Sequence, residues 1–172
     1  ESVEVVPGYE VPISIYERLN FAPGWNWISL ISGSTPLKGF ADNLVEARSK
    51  TQLVYNDPVW GLFGELYEFN NSQAYKVDAV SVEPGVPIRL AVDNIYETST
   101  PGYVEPAVIV PGWNWVSYPY EQDHMISEVF DAEEFAEGDI FLSKQSGLAV
   151  IKDGTWENDF RLLPNEGYMV YH

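Results

Sequence analysis

The chain carries one heptapeptide twice, as Pro23-Gly-Trp-Asn-Trp-Ile-Ser29 and again as Pro111-Gly-Trp-Asn-Trp-Val-Ser117. Six of the seven positions are identical, and the seventh exchanges one β-branched residue for another. Because tryptophan is a rare residue, a match that includes two tryptophans in so short a stretch does not arise readily by chance. The heptapeptide therefore predicts a chain built from two copies of one small module.

Each copy of the heptapeptide is typical of a turn that leads into a strand. Pro-Gly marks turns, and residues two apart on a strand point to the same face. Trp25 and Trp27 are therefore expected on one face, with Asn26 on the other, and Trp113 and Trp115 are expected to behave likewise. We expect each Trp pair to anchor the core of its module, because an indole buries a large apolar area. The alternative is that the paired indoles form a platform on which a sugar stacks.

The similarity between the copies begins before the tryptophans. Ser2-Val-Glu returns as Ser81-Val-Glu, and a Pro-Ile step follows a Pro-Gly turn in both places. The sequence thus predicts a first module over residues 1–79 and a second over residues 80–172. The second copy is longer between its opening and its tryptophans, which indicates a loop or linker at about 97–107. Alternation around a Pro-Gly predicts two strands within residues 1–20.

A short helix is predicted after the first Trp strand. Its apolar positions recur at the spacing of one helix face, and a Ser/Thr cap followed by a proline is a common helix start. The predicted stripe is Leu37, Phe40, Ala41, Leu44 and Val45. In the second copy Asp123 is the predicted cap, and the stripe is Ile126, Val129 and Phe130.

The remaining segments of each copy read as strands. The sequence predicts that residues 51–55 and residues 139–143 are equivalent strands in the two copies. Asp153-Gly154 is a strong signal for a two-residue hairpin turn. The closing strands are residues 74–77 and 167–170. The fold class predicted from these patterns is α+β and β-dominated, with two tandem copies of a small antiparallel sheet or barrel module, each carrying one short amphipathic helix.

Composition excludes several classes of function. The chain has 172 residues, 45% of them hydrophobic, and a formal net charge of −17. That charge repels phosphate backbones and anionic lipid surfaces, so neither nucleic acid nor a membrane is an expected partner. There is no apolar run of about 18 residues, so membrane insertion is not expected. The lack of cysteine removes disulfides, thiol nucleophiles and Cys-based metal sites.

The sequence offers little that points to catalysis. Its two histidines, His124 and His172, have no partner at metal-ligand or triad spacing. We therefore expect no enzyme activity, no cofactor and no metal, although a carboxylate pair for glycoside cleavage stays open. The acidic run at residues 131–139 lacks the alternating ligands of an EF-hand loop, which favours a solvated helix end over a weak cation site.

Aromatic residues near turns and loops are the candidate binding residues. They are Trp60, Trp156, Tyr103 and Tyr120. Exposed aromatic side chains at loop tips are what a glycan- or protein-binding module uses. The alternative is that Trp60 and Trp156 cover the far edge of the core.

The order of these elements is similar to that of a known repeat. The second copy combines the Trp strand, Gly138-Asp139-Ile140, Trp156 and Pro164-Asn-Glu-Gly-Tyr-Met169, and so resembles the "GWNW" repeats of large secreted or surface proteins from Bacteroidetes-type bacteria. The match covers nearly all of residues 111–171. It is weaker in the first copy, where Thr51 replaces the Asp and Asn71-Ser-Gln-Ala74 replaces the Pro-x-x-Gly.

The resemblance implies a non-catalytic accessory module that is secreted or displayed at the cell surface. It would serve in adhesion or as a spacer within a larger protein, with a glycan or another surface protein as its partner. The alternative is a carbohydrate-binding module attached to a secreted glycan-active enzyme. No signal peptide is visible at Glu1 and the sequence ends within a strand-like segment, so we expect a mature chain or an excised piece of a longer one. The resemblance supplies no catalytic residues.

Overall fold

The computed structural model describes residues 15–31, 33–81, 88–94 and 108–172. Within these residues the chain is β-dominated, with two five-stranded antiparallel sheets and a separate apolar core for each sheet. The fold class predicted from the sequence is therefore confirmed. Of the stretch predicted to hold two strands, residues 1–20, the first 14 residues lie outside the described residues, as does the predicted linker at about 97–107.

The first module comprises nine strands and one short 3₁₀ helix. In chain order these are β1 (Ile15–Phe21), β2 (Gly24–Ile28), β3 (Ser34–Pro36), the 3₁₀ helix Leu37–Asn43, β4 (Leu44–Arg48), β5 (Leu53–Asp57), β6 (Gly61–Gly64), β7 (Glu68–Asn70), β8 (Tyr75–Ala79) and β9 (Ile88–Asn94). The main sheet has the strand order β2-β8-β4-β5-β6, and the pairs β3–β7 and β1–β9 lie beside it.

The second module repeats this plan in a shorter form. Its elements are β10 (Trp113–Val116), β11 (His124–Met125), α1 (Ile126–Val129), the 3₁₀ helix Ala132–Glu134, β12 (Ile140–Ser143), β13 (Gly147–Lys152), β14 (Thr155–Glu157), β15 (Arg161–Leu162) and β16 (Tyr168–Tyr171). Its main sheet has the order β10-β16-β12-β13-β14, and β11 pairs with β15. Counted along the chain, this is the same topology as that of the first module.

The predicted helix of the first module is shorter than expected. Leu37 and Phe40 are buried as predicted, but the 3₁₀ turn ends at Asn43, and Leu44 and Val45 begin strand β4. Pairing of β4 with both β8 and β5 outweighs the helical spacing of the sequence. Val45 consequently points to solvent rather than to the core.

The start of this helix also differs from the prediction. Pro36 is extended, with φ −66° and ψ 135°, and it pairs with Glu68 in the β3–β7 ladder. No side-chain oxygen caps the turn. The sequence match between the copies fails for a related reason. Because the sequence pattern assigns residues 44–48 to a helix, it makes β5 the equivalent of β12. In the topology of the two sheets, β5 instead corresponds to β13, and β4 corresponds to β12.

The helix of the second module is a single turn. Ile126 is fully buried, as the predicted stripe requires. Asp123 does not cap this turn, because its carboxylate pairs with Arg161 at 2.7 Å. Instead the carboxylate of Glu128 accepts a hydrogen bond from the backbone nitrogen of Met125 at 2.7 Å. The prediction of a helix here is right, whereas the predicted cap is wrong.

Strand β9 belongs to the core of the first module, although it follows the predicted boundary between residues 79 and 80. It pairs with β1 so that Ile88 faces Phe21 and Leu90 faces Leu19. All four side chains are buried in the first core. In terms of packing, the first module therefore extends to at least residue 90.

The tryptophans of the heptapeptide do not anchor the cores. Trp25 is 39% exposed and Trp113 is 42% exposed, while Trp27 and Trp115 are only partly buried. The expectation that the Trp pairs are core residues is therefore wrong. The face that carries Asn114 is the buried one.

The buried amide of Asn114 holds the turn that precedes β10. Its Oδ1 atom accepts a hydrogen bond from the backbone nitrogen of Val110 at 3.1 Å. Its Nδ2 atom donates to the carbonyl oxygens of Val110 at 2.7 Å and Gly112 at 2.9 Å. One side chain thus satisfies three backbone groups of the turn, which explains why an asparagine lies between the tryptophans.

The first module repeats this arrangement. Asn26 accepts from the backbone nitrogen of Ala22 at 3.0 Å and donates to the carbonyls of Ala22 and Gly24 at 2.8 and 2.7 Å. The glycines of the two turns have φ values of +88° at Gly24 and +94° at Gly112. Side chains strongly disfavour such φ values, so the glycine is required by the turn.

We expect Asn114→Ala to destabilise the chain more than Trp113→Ala. The first change removes three hydrogen bonds that hold the turn, each of which contributes about 0.5–1.5 kcal/mol, whereas the second removes a half-exposed ring. Urea unfolding of both variants measures the two losses. A larger loss for Trp113→Ala would contradict the assignment of the amide as the structural residue.

Candidate functional site

The most distinctive surface of the molecule is the outer face, which we define as the side of the two main sheets that faces away from their cores. Seven aromatic or leucine side chains on it are more than one third exposed. They are Trp25, Leu53, Tyr55 and Phe63 in the first module and Trp113, Leu148 and Tyr171 in the second. A surface of this kind is where a partner is most readily bound.

The sheet register brings these side chains together in rows. In the first module Tyr55 pairs with Phe63, and their ring centroids are 5.6 Å apart. In the second module Trp113 pairs with Tyr171 at 5.3 Å, and the two rings meet edge to face. Tyr171 in turn pairs with Ile140, so an apolar row crosses neighbouring strands.

Charged side chains on the outer face nearly cancel. The strand register places three basic and four acidic residues there, namely Arg48, Lys76, Lys152, Glu46, Asp57, Asp78 and Glu157. Arg48 bonds to Glu46 and also lies 5.0 Å from the ring of Trp25. The outer face is therefore close to neutral in a chain whose net charge is −17.

Lys76 joins the outer faces of the two modules. Its Nζ atom lies 4.5 Å from the ring centre of Trp27 and 4.8 Å from that of Trp115. Burial lowers the pKa of Lys76, and the nearby charge of Arg48 lowers it further. One ammonium group thus contacts an indole from the outer face of each module, so the two outer faces meet at Lys76.

Backbone hydrogen bonds fix the junction beneath Lys76. The nitrogen of Gly167 donates to the oxygen of Trp27 at 3.2 Å, and the nitrogen of Ser29 donates to the oxygen of Asn165 at 3.1 Å. The strand of the first module is thus paired with a segment of the second. A Cβ atom at Gly167 would lie 2.5 Å from the oxygen of Ile28, so only glycine permits this approach.

The serine that ends the first heptapeptide is part of this junction. Ser29 is fully buried, and its hydroxyl donates to the carbonyl of Glu166 at 2.7 Å. The same oxygen accepts a hydrogen bond from the backbone nitrogen of Tyr118 at 3.1 Å. The first heptapeptide therefore contributes both to a turn and to the contact between modules.

Buried tyrosines lie close to the junction. Burial raises the pKa of Tyr118 to about 12, with further contributions led by the charge of Asp123. Burial also raises the pKa of Tyr168 and, less strongly, that of Tyr75. The hydroxyl of Tyr168 accepts from the backbone nitrogen of Leu163 at 2.6 Å and donates to the carboxylate of Glu166 at 3.1 Å, and the second of these bonds requires the neutral phenol.

Trp156 is buried, in contrast to the expected binding platform. It is 7% exposed, its Nε1 atom donates to the carbonyl of Phe130 at 3.0 Å, and its ring packs on Phe135 and Phe141 at 5.1 and 6.0 Å. The Asp153-Gly154 turn before it forms as predicted, but the following strand directs the indole into the core. No face of this ring is available for a ligand. Trp156 therefore covers the core, as the alternative interpretation of the sequence predicted.

The other predicted binding residues are dispersed. Trp60 is 82% exposed in the turn after β5, where the carboxylate of Asp57 accepts from its backbone nitrogen at 2.9 Å. Tyr120 is half-exposed and packs on Tyr118 in the second module. Tyr103 lies outside the described residues. The structure does not bring Trp60, Trp156 and Tyr120 into one site.

Apart from the tryptophans, which the sequence analysis gave as an alternative sugar platform, the residues of the outer face were missed because only their long-range pairing reveals them. Trp113 and Tyr171 are far apart in the sequence, and Tyr55 and Phe63 lie on different strands. The available signal was the spacing of Trp25 and Trp27, which indicated a shared face without indicating which face is exposed.

The described residues bear on two further features, a metal site and a membrane-spanning helix. Among these, no three His, Asp or Glu side chains are grouped as metal ligands would be. In the same residues, no helix has the length and apolar character needed to cross a membrane. The acidic run of residues 131–139 includes a 3₁₀ turn, in which the carboxylate of Asp131 accepts from the nitrogen of Glu133 at 3.0 Å.

No protein-family model, curated protein sequence or solved structure matches this chain. The geometry of the site is therefore the basis on which a function is inferred.

We expect Lys76 and Trp115 to be energetically coupled. A cation over an indole contributes about 0.5–1 kcal/mol at partly exposed sites, and a double-mutant cycle isolates that term. Urea unfolding of Lys76→Met, Trp115→Ala and the double variant should give a coupling of this size. Lys152→Met combined with Trp115→Ala is the control, and equal coupling in both cycles would contradict the contact.

We also expect stability to fall at alkaline pH because of the buried tyrosines. Their folded-state pKa values lie above the ordinary value of about 10, so each contributes stability that is present below pH 10 and is lost as the pH rises through the folded-state pKa. For Tyr118 the loss spans pH 10 to about 12. Urea unfolding at several pH values should show this decline, and Tyr118→Phe should make it shallower. An unchanged decline in Tyr118→Phe would exclude this phenol as a cause.

Proposed function

We propose that this chain is a non-catalytic accessory module of a larger secreted or surface protein, and that it serves in adhesion by binding a protein partner through its outer face. The observation that carries the proposal is the set of seven large side chains, led by Trp25 and Trp113, that are exposed on the outer faces of the two main sheets, which meet at Lys76. The resemblance of the heptapeptide to repeats of secreted and surface proteins supports the location.

The composition of the outer face favours binding over a purely structural role. Large exposed apolar patches are uncommon on soluble monomers and tend to mark interaction sites. Tryptophan, tyrosine and arginine dominate the energetics of protein interfaces, and the outer face carries Trp25, Trp113, Tyr55, Tyr171 and Arg48. A spacer needs none of these side chains to be exposed.

A protein is a better partner for this surface than a glycan. The rows between the aromatic residues are aliphatic in the second module, where Ile140 and Leu142 lie on β12 and Leu148 and Val150 on β13. Aliphatic side chains pack against apolar protein surfaces, whereas a sugar needs hydrogen-bonding groups beside the aromatic ring. Arg48, which lies over Trp25, further reduces the ring area open to a sugar.

Charge argues against self-association and indicates the nature of the partner. Each copy carries a formal charge of −17, so two copies repel each other as they approach. A partner with an apolar patch framed by basic residues would avoid this repulsion and would be steered towards the acidic surroundings of the face.

A carbohydrate-binding module remains the second candidate. The half-exposed indoles of Trp25 and Trp113 favour it, since paired tryptophans on a sheet are suited to stacking on sugar rings. The two candidates predict different targets on a cell surface.

The test measures how strongly the labelled chain binds to intact cells that carry the larger protein on their surface. We expect the double variant Trp113→Asp/Leu148→Asp to bind at least about tenfold more weakly, a loss of about 1.4 kcal/mol. Tyr67→Asp is the matched control, because Tyr67 is well exposed but lies outside the two main sheets. Both variants are first compared with the parent by thermal unfolding.

Treatment of the cells separates the candidates. Protease treatment should abolish binding if the partner is a protein. Loss of binding after periodate oxidation of glycans, with binding retained after protease, would replace this proposal with the carbohydrate alternative. If the parent chain binds neither treated nor untreated cells, the module is a spacer and the adhesion proposal fails.

A further inference from the structure

A cleft of about 250 Å³ lies between the two modules. One wall is β2 with the nearby end of β1, and the other is formed by two loops of the second module, which precede β13 and β16. The residues that line the cleft include Asn20, Trp27, Lys144, Gln145, Asn165 and Glu166. None of the aromatic residues exposed on the outer face lines this cleft.

We propose that this inter-module cleft is a binding site for a short neutral saccharide of one or two rings. The proposal goes beyond the adhesive role of the outer face, because a different surface and a different class of ligand are involved.

The size of the cleft limits the ligand. Pockets for drug-sized molecules measure roughly 300–1,000 Å³, so a cleft of about 250 Å³ suits a ligand of one or two rings. Its position between two modules is also a common location for small-ligand sites.

The lining matches the chemistry of hydroxyl groups. A sugar hydroxyl both donates and accepts hydrogen bonds, and the amide of Gln145 offers both functions in one side chain, as does the amide of Asn20. Lys144 adds donors and Glu166 adds acceptors. Trp27, whose ring is contacted on one side by Lys76, adds an apolar element to the lining.

The charges in the cleft disfavour an ionic ligand. Lys144 and Glu166 carry opposite charges and lie close enough to influence each other. Burial raises the pKa of Glu166, and the charge of Lys144 opposes that rise to a smaller extent. The amine of Lys144 is also engaged by the carbonyl oxygen of Trp25. With a nearby carboxyl group and no second cation among the lining residues, an anion such as phosphate has little to attract it.

The walls of the cleft are held in place before a ligand binds. The backbone nitrogen of Gly167 donates to the oxygen of Trp27 in the first wall, and the backbone nitrogen of Ser29 donates to the oxygen of Asn165 in the second. The hydroxyl of Ser29 also donates to the carbonyl of Glu166 at 2.7 Å. A rigid site loses less entropy on binding than a mobile one. Ligand binding should therefore depend on the two modules being joined in one chain.

The two modules provide a matched control. Ser143 accepts hydrogen bonds from the nitrogens of Gln145 and Ser146, and Ser49 accepts from Thr51 and Gln52 in the same way. Thr51 is thus the counterpart of Gln145 in the first module, and it does not line the cleft. Both residues are exposed, so a larger side chain at either position is compatible with folding.

The experiment titrates the parent chain with free neutral saccharides and follows the indole and side-chain amide signals by NMR. The panel comprises glucose, galactose, mannose, N-acetylglucosamine and their β-1,4-linked disaccharides. At least one of these should saturate the protein and shift the Trp27 indole signal. Gln145→Trp, which fills the cleft, should weaken binding at least tenfold, and Thr51→Trp should leave it unchanged.

Three results would overturn the proposal: no saccharide of the panel saturates the parent, Gln145→Trp binds as well as the parent, or inorganic phosphate displaces the sugar. Each variant is also tested for binding to cells. The two sites are separate if each variant loses only one kind of binding. The Trp113→Asp/Leu148→Asp variant should still bind the saccharide, and Gln145→Trp should still bind to cells.

Discussion

The amide of Asn114, like that of Asn26 in the first module, sets the orientation of the sheet that follows it. It satisfies both backbone groups of Val110 and the carbonyl of Gly112, and this bonding requires the side chain to point inward. Because side chains alternate along a strand, an inward asparagine sends the tryptophan on either side of it outward. The outer face therefore follows from the hydrogen bonding of a turn. An apolar residue at position 114 would remove the reason for exposing the indoles.

The junction between the modules brings their two outer faces into contact at Lys76. The backbone ladder at Trp27 and Gly167 and the buried hydroxyl of Ser29 fix how the sheets meet, and Lys76 contacts an indole from each side. The same ladder leaves the cleft between the modules beside it. Both proposed sites thus depend on a junction that neither module contains alone, which gives a physical reason for two modules to occur in one chain.

Part of this structure could be predicted from the sequence and part could not. Local signals were sufficient for the Asp153-Gly154 hairpin, since both residues adopt the positive φ that this turn requires. They were insufficient at Leu44 and Val45, where a helical spacing coincides with a strand held by two neighbours. Sequence alternation showed that Trp25 and Trp27 share a face, but which face is buried depends on residues far away in the chain. The outer face and the cleft arise from pairings of distant segments, so no local pattern indicated them.

The acidity of the chain and the exposure of its aromatic residues are two parts of one arrangement. An apolar surface that includes Trp113, Leu148 and Tyr171 would favour association between copies of the chain. A net charge of −17 opposes that association, because like-charged copies repel each other before their apolar faces meet. At physiological ionic strength this repulsion acts over about 8 Å, so it slows the approach of another copy while leaving contact with a basic-rimmed partner favourable. The near-neutral face can remain exposed because the rest of the surface is acidic.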